Sequence, residues 1–267
     1  MQTVASADGT PIAYERTGSG PPLVLVHGMA GNHARWELFE VRSKLANHAT
    51  VYAMDRRGHG ESGDAEEYAL EREFEDVAAV VDSIDDPVTL LGHSHGGLCA
   101  LEAALRTDNL HTLVVYEPAG PWEIPHLYSE EVYEELKALV EDGENERALV
   151  LFLRGGVDLP EAQIDELRTA PNWSARVDEA RTLAREYRAP VTYAFEPERF
   201  ADVTTPTVLL VGSESPEWVK NATEALDDAL PNSRISSLEG HGHLAMNTAP
   251  ELFIDEVLTI VREGHCG

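Results

Sequence analysis

A serine between glycines stands at Gly92-His93-Ser94-His95-Gly96-Gly97, directly after the apolar run Val88–Leu91. The G-x-S-x-G spacing has chemical meaning when a strand precedes it and a helix follows. The sharp turn then strains the serine backbone and holds Oγ clear of the sheet, and side chains in place of the glycines would strike the neighbouring strand and helix. Ala100, Leu101, Ala104 and Leu105 continue on helical spacing. That helix would point its N-terminus at Ser94, which favours developing negative charge. A serine hydroxyl needs a base to become a nucleophile. Two histidines offer themselves in Glu239-Gly240-His241-Gly242-His243-Leu244, on a loop after the run Arg234–Leu238. His243 has the better context, with Leu244 beside it and Pro250-Glu251-Leu252-Phe253 beyond; His241 is the alternative. Such a loop lies at the carboxyl end of a strand, where open α/β sheets bind ligands.

The elements that must carry these residues can be read from the spacing of apolar positions. Thr3–Ser6, a turn at Asp8-Gly9 and Ile12–Arg16 predict a hairpin. Short continuous apolar runs at Leu23–Val26, Val51–Met54, Val88–Leu91, Leu113–Tyr116 and Val208–Val211 predict strands buried on both faces. Between them Leu70, Phe74, Val77, Val81 and Ile84 share one helix face, as do Ala222, Leu226 and Ala229, and then Leu252, Val257, Ile260 and Val261. Strand and helix in alternation mean a mostly parallel sheet with helices on both faces. From about residue 121 to 200 the alternation fails. Val132, Leu136, Leu139 and Val140 form a helix face with Ser129 as N-cap and Gly143 as stop. Leu149–Leu153 ends at Gly155-Gly156, Pro160 opens a further helix, and Val177, Leu183 and Tyr187 follow Pro171. An all-helical insertion over the site is expected there, with Trp122, Leu127, Trp173 and Tyr187 available to line a pocket.

Across 267 residues, 48 Asp and Glu face 20 Lys and Arg, a formal charge of −28. Only Lys44, Lys137 and Lys220 are lysines, so the other seventeen bases are arginines. Phosphate backbones and anionic membrane surfaces need a basic face, so nucleic acid and membrane are excluded as partners and a small-molecule substrate is expected. Self-repulsion on this scale suits a high-salt cytoplasm such as that of a haloarchaeon. No apolar run approaches a membrane span, and the first residues carry no basic, apolar leader, so a cytoplasmic location is expected. Cys99 and Cys266 make no disulfide framework. His93-Ser94-His95 lacks the Asp and His of an HxHxDH metal motif, since Gly97 and Leu98 stand there. Gly28-Met29-Ala30-Gly31 is neither a phosphate nor a dinucleotide loop, and neither metal nor cofactor is expected.

Three further segments make the resemblance specific. His27-Gly28 follows a strand, Asp55-Arg56-Arg57-Gly58-His59-Gly60-Glu61-Ser62 follows the next, and Gly242-His243 precedes the last helix. The chain resembles the α/β-hydrolase superfamily in its serine-nucleophile branch of esterase-, haloperoxidase- and lactonase-like enzymes. The resemblance implies an eight-stranded, mostly parallel sheet, a core formed by 1–120 and 201–267, and a helical cap of 121–200 after the sixth strand. It also implies Ser94 as nucleophile, His243 as base, and an oxyanion hole from the backbone N–H groups of Met29 and His95. Asp55 and Arg56 are read as holding their loop. Members of this superfamily usually carry the acid after the seventh strand, but here Gly212-Ser213-Glu214-Ser215-Pro216 has serine at that place. Glu117, ending the sixth strand, is preferred and Glu214 is the alternative. The aspartate-nucleophile dehalogenase and epoxide hydrolase branches are excluded by Ser94. The expected activity is hydrolysis of a small, largely apolar ester, thioester or lactone without a cofactor. A weakly catalytic binding or signalling protein, a perhydrolase or haloperoxidase, and a carbon–carbon bond hydrolase are the alternatives.

Overall fold

The computed structural model describes residues 1–120 and 129–264; Trp122, Leu127 and Cys266 lie outside the described residues. Eight strands build one sheet: β1 (Gln2–Ala5), β2 (Pro11–Gly18), β3 (Pro22–Val26), β4 (Thr50–Met54), β5 (Val88–His93), β6 (Leu110–Tyr116), β7 (Thr207–Gly212) and β8 (Ser233–Leu238). Their spatial order is β1-β2-β4-β3-β5-β6-β7-β8. The β1–β2 hairpin and the β2–β4 pair are antiparallel; every later pairing is parallel. All residues of β3, β5 and β7 are buried, as their unbroken apolar runs require.

The helices are α1 (Val41–Leu45), α2 (Leu70–Asp82), α3 (His95–Ala103), α4 (Glu130–Glu141), α5 (Asn145–Gly155), α6 (Glu161–Arg168), α7 (Trp173–Glu179), α8 (Leu183–Thr192), α9 (Glu217–Ala229), α10 (Ala245–Thr248) and α11 (Pro250–Gly264). One sheet face packs on α2, α3 and α9 through residues such as Phe74, Leu98 and Leu226. The other packs on α1 and α11 through Leu45, Phe253 and Val257. Ser129 caps α4 by accepting from the Val132 N–H, and Gly143 takes a φ of +72° just beyond its end.

Between β6 and β7 the described residues form only helical and irregular structure. Their apolar faces make a third core in which Leu149, Phe152, Ile164 and Tyr187 pack with Met29 and Ala30 from the loop after β3. These helices therefore close over the carboxyl ends of the strands. At that end the strand order reverses, because β3 lies between β4 and β5 and Val26 pairs with Gly92. Ligands of open α/β sheets bind at this kind of switch point. Among the described residues no helix is long and apolar enough to cross a membrane.

Candidate active site

Ser94 sits between β5 and α3 with φ 56° and ψ −122°, a conformation that a non-glycine residue holds only under constraint. The constraint is visible in its backbone bonds. Its N–H donates to Tyr116 O at 2.9 Å, and its carbonyl accepts from Gly97 N–H (2.8 Å) and Ala119 N–H (3.0 Å). The flanking glycines permit the close approach. A Cβ on Gly92 would come within 2.2 Å of Gly96 O, and one on Gly96 within 2.4 Å of Val26 O.

His243 is held from two sides. Its carbonyl accepts from His93 Nε2 at 2.8 Å, and the Tyr116 hydroxyl donates to the preceding carbonyl of Gly242 while accepting from Ala245 N–H at 3.1 Å. Burial keeps His93 neutral, lowering its pKa well below the ordinary value, and the neighbouring His243 imidazole adds to this. His243 Nδ1 lies 2.8 Å from Glu117 Oε2. Glu117 also takes positive φ (42°), and its Oε1 accepts from Gly212 N–H at 2.8 Å and Ser215 Oγ at 2.5 Å. Burial alone would raise the Glu117 pKa; the bonds from His243, Ser215 and Gly212 outweigh it and hold the carboxyl below its usual range.

The structure thus brings Glu117, not Glu214, to His243. Glu214 is exposed, whereas Ser215, at the position where an acid was expected, donates to Glu117 instead. His241 faces Thr248 Oγ1 at 3.0 Å and is half-buried. Met29 borders the cavity that Ser94 and His243 share, and His95 opens α3 with its side chain turned away toward Glu73 (3.2 Å).

Asp55 and Arg56 hold their loop as expected. Asp55 accepts from the His33 and Glu61 N–H groups. Arg56 donates to the carbonyls of His27 and Gly28, to Glu73 Oε2 at 2.5 Å and to Glu186 Oε2 at 2.9 Å. Neutral His27 completes this by donating Nδ1–H to Gly28 O (2.8 Å) and accepting from Arg56 N–H (3.1 Å). Residue spacing carries no sign that α7 and α8 join in. Glu179 and Glu186 both reach buried His59, at 3.1 and 2.5 Å. Glu73, His95 and Cys99 lie close enough to one another to suggest metal ligands. The donor set does not fit a cation: Arg56, Tyr68 and His95 occupy the Glu73 oxygens, and burial pushes the Cys99 thiol well up, away from the thiolate a metal needs.

The cavity at Ser94 measures about 70 Å³ and is mostly apolar, walled by Pro118, Ala119, Phe152, Val157, Trp218 and Val219 among others. Of the aromatic residues expected to line it, Tyr187 is buried in the helical core, and Trp173 packs at that core's edge while donating to Glu146. Trp218 and Phe152 take that role instead. Trp218 lies at the start of α9, after the β7 loop, where a lone tryptophan carries no sign in the sequence of which way it faces.

A family model described as "Alpha/beta hydrolase family" matches residues 23–256. The solved structure of an alpha/beta hydrolase from Sphaerobacter thermophilus superposes with a TM-score of 0.81 at 35% identity, covering 94% of this chain and 100% of that one. A pimeloyl-[acyl-carrier protein] methyl ester esterase of Aeromonas hydrophila is 28% identical over 255 residues, 91% of this chain and 96% of that protein. An uncharacterised hydrolase of Bacillus subtilis is 34% identical over 115 residues, 41% of this chain and 42% of that protein. The match thus spans less than half the length of several curated relatives.

Proposed function

The chain belongs to the alpha/beta hydrolase family, and from that premise we propose that it is a serine hydrolase cleaving a small ester, thioester or lactone through Ser94, His243 and Glu117. The observation that carries this reading is the 2.8 Å contact of Glu117 with His243 Nδ1 beside the strained elbow of Ser94. Glu117 keeps the Nδ1 proton in place, so Nε2 is free to take the proton of Ser94 Oγ as it attacks the carbonyl. The tetrahedral oxyanion then rests on the backbone N–H groups of Met29 and His95, each worth about 3 kcal/mol in the transition state. His243 returns its proton to the leaving group, and water cleaves the acyl-enzyme by the same path. Residues 121–200 are read as a cap, since α5 supplies Phe152 to the cavity wall and α7 and α8 anchor on His59 and Arg56. The apolar lining supports an acyl or leaving group with hydrocarbon character, and the likeness to a methyl ester esterase supports ester chemistry.

Labelling with a fluorophosphonate followed by intact mass tests the reading. One adduct on the wild type, absent from Ser94→Ala, is expected. A folded wild type that takes no adduct and cleaves no ester would sink it.

A further inference from the structure

A second cavity of about 30 Å³ also borders Ser94 and His243 and shares Met29, Phe152 and Val157 with the first. It has room for roughly two water molecules. Two arginines, Arg35 and Arg176, line it. Arg176, on α7, is 8% exposed. Arg35 is half-buried as a residue, but its Nε is closed off from solvent. Among the described residues neither forms an ion pair, and the Nε of each has no hydrogen-bond partner. Among the described residues the Arg35 guanidinium donates only to a thioether, Met246 Sδ, at 3.2 Å, and lies 6.0 Å from the centre of the Trp36 ring. Glu179, one turn on from Arg176, is taken up by His59, Asn32 and the Gly60 N–H. Burial lowers Arg35 to about 10; burial and the neighbouring charge of Arg35 lower Arg176 to about 9. Both therefore remain cations at neutral pH.

Buried guanidinium groups ordinarily sit against carboxylates, because an uncompensated buried charge is strongly destabilising. The same protein does this elsewhere. Arg56 meets Glu73 and Glu186, and Arg57 meets Asp76 and Asp8. With 48 acidic residues in the chain, a counter-charge is not scarce. Two adjacent cations facing the serine without one make a site whose counter-ion arrives with the ligand.

We infer that the substrate carries a carboxylate, received by Arg35 and Arg176 in this cavity, while its scissile carbonyl lies at Ser94 and its apolar part fills the other. The planar fork of a guanidinium suits a carboxylate. The substrate class is thus a carboxylate-bearing ester, thioester or lactone. This inference rests on the serine-hydrolase reading for where the carbonyl lies, but not for the carboxylate site itself.

The test compares charged esters with neutral counterparts in 1 M KCl, which screens the long-range repulsion of the net charge. The acyl-side pair is p-nitrophenyl hydrogen glutarate and p-nitrophenyl methyl glutarate. The leaving-side pair is 4-acetoxybenzoate and its methyl ester. In at least one pair the wild type should favour the charged ester in kcat/KM by tenfold or more. That preference should collapse toward unity in Arg176→Gln and Arg35→Gln. Free glutarate should inhibit the wild type competitively and glutaramide should not, which needs no variant to fold. Preference for the neutral ester in both pairs, with no glutarate inhibition and Ser94 still labelled by fluorophosphonate, overturns the carboxylate site and leaves the hydrolase reading standing. If Ser94 is unreactive and no ester turns over, calorimetry with glutarate decides. Binding that Arg176→Gln abolishes supports the site, and no binding to the wild type overturns it.

Discussion

Replacing Glu117 by glutamine changes one atom, and the surroundings dictate which way the amide must turn. Oε1 accepts from the Gly212 N–H at 2.8 Å and the Ser215 hydroxyl at 2.5 Å. A backbone N–H can only donate, so the amide oxygen has to stay there. The NH₂ group then takes the place of Oε2, 2.8 Å from His243 Nδ1, and it too can only donate. Neutral His243 is driven to the tautomer with its proton on Nε2, the nitrogen that would otherwise take the proton of Ser94. The imidazolium formed during acylation also loses its counter-charge. The equivalent change in a Ser-His-Asp triad lowers kcat about 10⁴-fold, or about 5 kcal/mol of transition-state stabilisation. Glu117→Gln should therefore reduce kcat for a p-nitrophenyl ester by about 10³- to 10⁴-fold with an unchanged circular dichroism spectrum. Glu214→Gln, at an exposed side chain, should stay within about twofold. The assay is single-turnover release of nitrophenol on both variants. A Glu117→Gln enzyme that keeps more than a tenth of wild-type kcat would refute this assignment, most directly if Glu214→Gln were the crippled one.

Two other expectations concern conditions. Buried Glu186 is pushed up by burial and pulled further down by the charges of Arg56 and His59, ending well below its ordinary 4.5. Its stabilising contribution is thus present above about pH 4.5 and is lost as pH falls through the depressed native value. His59 runs the other way: burial lowers it, the Glu186 charge and the bonds to Glu179 and Glu186 overrule that, and it ends above 6.5. Its contribution is present below pH 6.5 and is lost as pH rises through the raised value. Melting temperature should peak between these limits, and His59→Gln should remove the alkaline decline; an unaltered profile in that variant would discard the account. For the charge of −28, melting temperature should climb from low salt to molar KCl as self-repulsion is screened. A flat dependence would reject the high-salt reading of the composition.

The strands and the elbow were legible because they depend on local spacing. β3, β5 and β7 are continuous apolar runs, and the glycines around Ser94 mark contacts between backbones only a few residues apart in sequence. The α4 boundaries followed from Ser129 and Gly143 for the same reason. The choice of acid was harder. Glu117 and Glu214 both follow closely on strands in suitable places, and only the fold shows that Ser215 and Gly212 donate to the former. Wholly hidden were the ties that cross from α7 and α8 to the loop after β4. Glu179 and Glu186 read as two more acids in a chain rich in them, and nothing in their spacing marks both as facing His59 and the second as also meeting Arg56. Trp173 and Tyr187 failed as pocket residues on the same ground, because both faces of those helices carry apolar side chains and the sequence does not say which face turns to the sheet.

Arginine is where composition and site meet. Seventeen arginines against three lysines could be a property of the surface alone, yet four of them extend into the interior near the loops that carry the site. Arg56 and Arg57 are each paired with two carboxylates, and Arg56 also grips the His27 and Gly28 carbonyls, fixing the strand end next to Met29, whose amide is the oxyanion donor in the proposed mechanism. Rigid pairing suits that task, since an oxyanion donor acts only if it need not reorganise. Arg35 and Arg176 are the opposite case. Their charge is left uncompensated in a chain rich in acids, at a cost in stability that a structural role would not require. Exchanging Arg176 for a neutral side chain should accordingly stabilise the fold while weakening whatever the site receives, the trade expected where a protein holds strain for function. A structural arginine would lose on both counts.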